Sequence, residues 1–88
     1  MARTVVLENN RVRLVQYTTA AGESSDLHKH SDSIVFPTTE GKFRITTASG
    51  ESKELEMKAG KPFFLTATEH SSVNIGSAEA VGFVAELK

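Results

Sequence analysis

The sequence predicts a single all-β domain, and three observations carry the prediction. Short runs of alternating apolar and polar residues recur along the chain, and turn-forming residues interrupt them at intervals of roughly six to ten positions. No stretch of about ten residues carries a helical pattern. At 88 residues the chain suits one domain spanning 1–88, because a second core would leave neither half enough buried surface.

The elements follow in order. Arg11-Val12-Arg13-Leu14-Val15-Gln16-Tyr17 reads as a strand, with Val12 and Leu14 on one face and Arg11 and Arg13 on the other. Ala20 to Ser25 breaks it. His28-Lys29-His30 reads as extended, and Ile34-Val35-Phe36 forms a short strand ending at Pro37. Lys42 to Thr47 alternates so regularly that Phe43 and Ile45 should point inward. Ala48-Ser49-Gly50-Glu51 then turns the chain into Lys53 to Met57, too short for a helix between glycine-bearing turns, so the pair reads as a hairpin. Pro62 to Leu65, His70 to Asn74 and Val81 to Leu87 complete the set. Phe43, Phe63, Phe64 and Phe83 are expected in the core.

Composition narrows the function classes. Ten basic against eleven acidic residues give a formal charge of −1, no field for neutralising phosphates, so nucleic acid is excluded as a partner. The chain has no cysteine, which removes disulfides, thiol catalysis and thiolate ligands together. No apolar stretch has the length of a signal peptide or membrane span, so a cytoplasmic location without a membrane partner is expected. A domain this small rarely buries all its apolar residues alone, and a homodimer is expected.

Chemistry concentrates in the histidines. His28 and His30, at i and i+2 of an extended segment, point to one face at a separation that one metal ion can bridge. His70 lies on a later predicted strand that can return beside them. An isolated His-x-His pair is ordinarily a surface feature, but here every histidine of the chain belongs to the pattern. Three neutral imidazoles suit one divalent transition metal, Fe²⁺ or Zn²⁺ foremost with Ni²⁺ or Mn²⁺ also compatible, and not the oxygen-seeking Mg²⁺ or Ca²⁺. Ile34 and Phe36 share the parity of the ligand strand and are expected to form an apolar pocket wall. Asn74, on the His70 parity, either orients a ligand or caps a backbone group, and Gln16 with Tyr17 is the nearest substrate-contacting candidate on the preceding strand. Asp32 is a candidate partner for an imidazole. Glu40 and Glu69 read as solvated acids.

The segment Gly22-x5-His28-x-His30 followed by Gly41 resembles the first motif of the cupin superfamily, Gly-x5-His-x-His-x3,4-Glu-x6-Gly. Gly60 through Thr66 and His70-x3-Asn74 is similar to the second, with Thr66 and Thr68 standing where the family has Pro and Gly. The end of the chain, Asn74 to Lys88, resembles small cupins of β-alanine degradation. The resemblance implies a double-stranded β-helix, or jelly-roll barrel. Counting back from Gly41 puts Ile34 at the family's glutamate, so the usual carboxylate ligand is missing. A three-histidine site of this kind is similar to that of the Fe²⁺ dioxygenases of β-diketones and thiols. Because three neutral ligands leave the ion its full charge, a small anionic molecule is the expected ligand. Two functions are compatible with these residues: a dioxygenase-like metalloenzyme acting on a small anion, diketone or thiol, and a non-catalytic binding or sensing cupin with a structural or vestigial metal site.

Overall fold

The computed structural model describes residues 2–88, and every regular element among them is a strand. In chain order these are β1 (Ala2–Glu8), β2 (Val12–Thr19), β3 (Ser24–His30), β4 (Ser33–Pro37), β5 (Gly41–Thr47), β6 (Ser52–Met57), β7 (Phe63–Leu65), β8 (Thr68–Asn74) and β9 (Ala80–Leu87). Antiparallel pairing assembles them into two sheets, β1-β2-β9-β4-β7 and β3-β8-β5-β6. The chain changes sheet between β2 and β3, again between β3 and β4, and repeatedly thereafter, so each sheet is built from segments distant in sequence. Among the described residues no helix is long and apolar enough to cross a membrane.

The predicted strands are present, with ends that move by a residue or two. Two differences matter. β3 begins at Ser24, so the break after β2 is confined to 20–23. β1 has no counterpart in the sequence prediction, because all seven of its residues are exposed and its register shifts between Val5 and Leu7, leaving no alternation of burial to read. The β5–β6 turn shows what its glycine is for: Gly50 adopts φ +93°, a region that disfavours other side chains, and its N–H donates to Thr47 O at 2.9 Å.

Inside the sandwich the buried apolar residues are Val15, Val35, Phe43 and Ala80. Asn74 is fully buried beside them: its Nδ2 donates to Thr19 O and Ala78 O, both at 3.1 Å, and its Oδ1 accepts from Gly76 N at 2.9 Å. One side chain therefore satisfies three backbone groups at the end of β8, the role a buried amide must fill to avoid a desolvation cost of about 1–3 kcal/mol per unpaired group.

The outer face of the five-stranded sheet is also apolar. Cross-strand pairing lines up Phe64, Ile34, Ala85, Leu14 and Leu7 in one row over all five strands, with Phe36 and Phe83 paired in the next. Phe64 is 53% exposed and Phe83 shares the outer side with Phe36, so two of the four phenylalanines expected in the core lie outside it. Alternation fixes which residues share a face; with apolar residues on both faces it does not fix which face is inside.

Candidate metal centre

A β-bulge aims the histidines. Ser25 pairs with Ser72 and His28 with His70, so β3 spends three residues where β8 spends two. The extra residue reverses the parity, and Ser25, His28 and His30 all face the interior between the sheets. The bulge also supplies a fixing contact. His28 Nδ1 lies 2.9 Å from Asp26 O, and His30 Nδ1 lies 2.7 Å from Ser31 O. A carbonyl only accepts, so both Nδ1 atoms donate, and Nε2 is the atom of each ring left to face a metal. His30 Nε2 is buried without a partner.

His70, directly opposite His28 across the β3–β8 pair, completes the group, with ring centroids 4.9 Å from His28 and 4.5 Å from His30. Burial pushes its pKa down to about 4, and repulsion from the neighbouring His30 and His28 adds to the shift. At neutral pH this imidazole is an uncharged donor, as a metal ligand must be.

Two of the three ring separations match those of imidazoles sharing a transition metal. With a metal–nitrogen bond of about 2.1 Å the ring centroids of two ligands stand about 4.5–5.5 Å apart, which the His70 pairs satisfy. His28 and His30 are 6.3 Å apart. Among the described residues no group of three ligating side chains is disposed to hold an ion as it stands. His28, 6.3 Å from His30, would have to turn about its Asp26 contact to close the trio.

Behind the histidines lies a cavity of about 190 Å³ between the two sheets, walled mainly by apolar side chains that include Val35, Phe43, Ile45, Leu55 and Leu65. Ile34 and Phe36 are not among them. Both are 43% exposed on the outer face, a correction to the expected pocket wall. The strand that follows the ligands belongs to the facing sheet, so its inward residues are Ser33, Val35 and Pro37, an odd number of positions from His30. Val35, five residues after His30, thus occupies the interior position that the longer spacing of the motif assigns to a carboxylate. In neither register is there an acid.

Gln16 pairs with Phe83 on the outer face, and its neighbour Tyr17 lines the cavity in its place. Asn74 serves the backbone at the far end of β8, outside the cavity lining. Asp32 accepts Ala67 N at 2.7 Å, tying two loops together rather than orienting an imidazole. Glu69 pairs in register with Lys29 and is not among the cavity-lining residues. Sequence reasoning missed Glu86, on the inward face of β9, because expecting Phe83 in the core puts residues of the Glu86 parity outside it.

No protein-family profile and no curated protein matches the chain. Solved structures do match it. A cupin domain from Bordetella pertussis superposes with a TM-score of 0.89 at 28% identity, over 99% of this chain and 92% of that one. A cupin superfamily protein from Desulfitobacterium hafniense gives 0.72 at 15% identity, over 98% and 75%. An RmlC-like cupin with a double-stranded β-helix fold from Methanocaldococcus jannaschii gives 0.76 at 16% identity, over 98% and 78%. Two antiparallel sheets closed around an interior cavity make this chain a double-stranded β-helix. Its fold is that of the small cupin domains it superposes on.

Proposed function

We propose that this chain holds one divalent transition metal on His28, His30 and His70 and binds a small anion to it at the mouth of the cavity. The observation that carries the reading is the buried, unpartnered Nε2 of His30, on a ring whose centroid lies 4.5 Å from that of His70 and 6.3 Å from that of His28. An orphaned buried acceptor is costly in a folded protein unless something occupies it. The bound ion would supply Lewis acidity or, as Fe²⁺, O₂ chemistry. The chain's own residues supply the rest: the carbonyls of Asp26 and Ser31 fix two rings, burial keeps His70 neutral, and the apolar wall excludes water from the ligand's body.

The catalytic form of this reading is a dioxygenase-like oxidation of a small diketone or thiol. Oxygen consumption by protein reconstituted anaerobically with Fe²⁺ tests it, on acetylacetone, cysteine and simple carboxylates. Uptake coupled to loss of one of these is the expected result; with no uptake on any of them, that form is abandoned. One observation favours the non-catalytic alternative. The longest connections between strands, 58–62 and 75–79, are five residues each, too short to form a closing lid.

The same proposal includes a homodimer, formed by two copies of the outer face with its row from Phe64 to Leu7. The row crosses five strands, roughly 19 Å, and a patch of that width on a small chain is ordinarily covered. Ile34→Glu puts a charge at its centre. The expected result is a monomer by analytical ultracentrifugation with unchanged Zn²⁺ affinity, because the side chain points away from the histidines. Tighter metal binding in that variant would return Ile34 to the site and overturn the register described above.

A further inference from the structure

The cavity has a second polar wall, facing the histidines from the opposite sheet. Glu86 is the one carboxylate among the described lining residues, and its side chain is 19% exposed. It stands in register with Ser33 of β4 and Arg13 of β2. Ser33 follows His30 by three residues, so Glu86 belongs to the same end of the barrel as the histidines. Arg3 and Arg13 reach its Oε1 at 3.8 and 3.6 Å, both longer than a hydrogen bond. Among the described residues no hydrogen bond or ion pair falls on Oε2. Tyr17, also in the lining and linked to Glu86 through Arg3, accepts Arg3 Nε–H at 3.2 Å, which leaves its own hydroxyl proton to donate.

This wall offers one acceptor and one donor, and the charges around it choose what they take. Arg3, Arg13 and Lys88 face Glu8 and Glu86 in one connected cluster, a surplus of one positive charge. An ammonium group would meet that surplus, and a second carboxylate would meet Glu86 at close range. A neutral hydroxyl suits both partners, donating to Glu86 Oε2 and accepting from Tyr17. We infer that Glu86 and Tyr17 recognise a hydroxyl group of the cavity's ligand, and that the ligand class is therefore a short hydroxy acid. This rests on the reading that an anion binds at the histidines. Its carboxylate lies at the metal, its carbon chain crosses the apolar middle, and its hydroxyl meets the facing wall.

Calorimetric titration of the Zn²⁺-loaded protein with butyrate, β-hydroxybutyrate and γ-hydroxybutyrate tests the inference. At least one hydroxy acid should bind about tenfold more tightly than butyrate. In Tyr17→Phe and in Glu86→Gln that preference should shrink to about twofold or less, with butyrate affinity held. A merely structural role would shift all three acids together, so the ratio is the informative quantity, and Tyr17→Phe carries the test where Glu86→Gln disturbs the ion pairs. A wild-type protein without the preference, or variants that keep it, overturn the assignment. Binding of none of the acids overturns the anion reading itself, and the inference with it.

Discussion

Replacing His70 with alanine should weaken Zn²⁺ binding by a factor of about 100 or more, the largest single effect expected at this site. His70 is the hinge of the trio, within 4.9 Å of both other rings while they stand 6.3 Å from each other. Without it only two of the three ligands remain. His28→Ala should cost less at first, since that exposed ring must turn to reach the ion in any case. Titration calorimetry on both variants, with circular dichroism to confirm the β fold, checks the order. Equal affinity in wild type and His70→Ala would place the ion elsewhere.

The second large effect is an acid-sensitive fold. An unfolded imidazole takes up its proton near pH 6.5, whereas buried His70 does so only near 4. Between those values the unfolded chain holds the extra proton, so the metal-free native state loses stability as pH falls from about 6.5 to about 4, by roughly 2–3 kcal/mol. Below about 4 this contribution levels off. Urea unfolding of the metal-free protein at several pH values between 7.5 and 3.5 measures the slope. His70→Gln should remove most of it, and a variant as acid-sensitive as the wild type would assign the effect to other groups.

Much of this architecture was legible in the sequence. The hairpin from Lys42 to Met57 and the inward Phe43 and Ile45 follow from strict alternation between turn residues, and the cupin resemblance fixed the relation of His28, His30 and His70. What stayed hidden shares one physical cause. Period-two patterns identify faces but not their direction, and this chain breaks parity twice near the site, by the bulge between Ser25 and His28 and by the crossing from His30 to Ser33. The bulge brings both histidines inward, while the crossing sends Ile34 and Phe36 outward and Val35 inward. Glu86 was obscured by the apolar outer face, which offers a sequence reader a second core, whereas Tyr17 was already a candidate beside Gln16. β1 left no trace because nothing covers either of its sides in the single chain.

The central claim is that three imidazoles on β3 and β8 form one metal site, and metal stoichiometry tests it most directly. Protein freed of metal with a chelator, incubated with excess Zn²⁺ at neutral pH and desalted, should retain about one ion per chain by elemental analysis. His70→Ala treated identically should retain almost none. If the wild type keeps no metal, or if both proteins keep the same amount, the three histidines do not form the site described here.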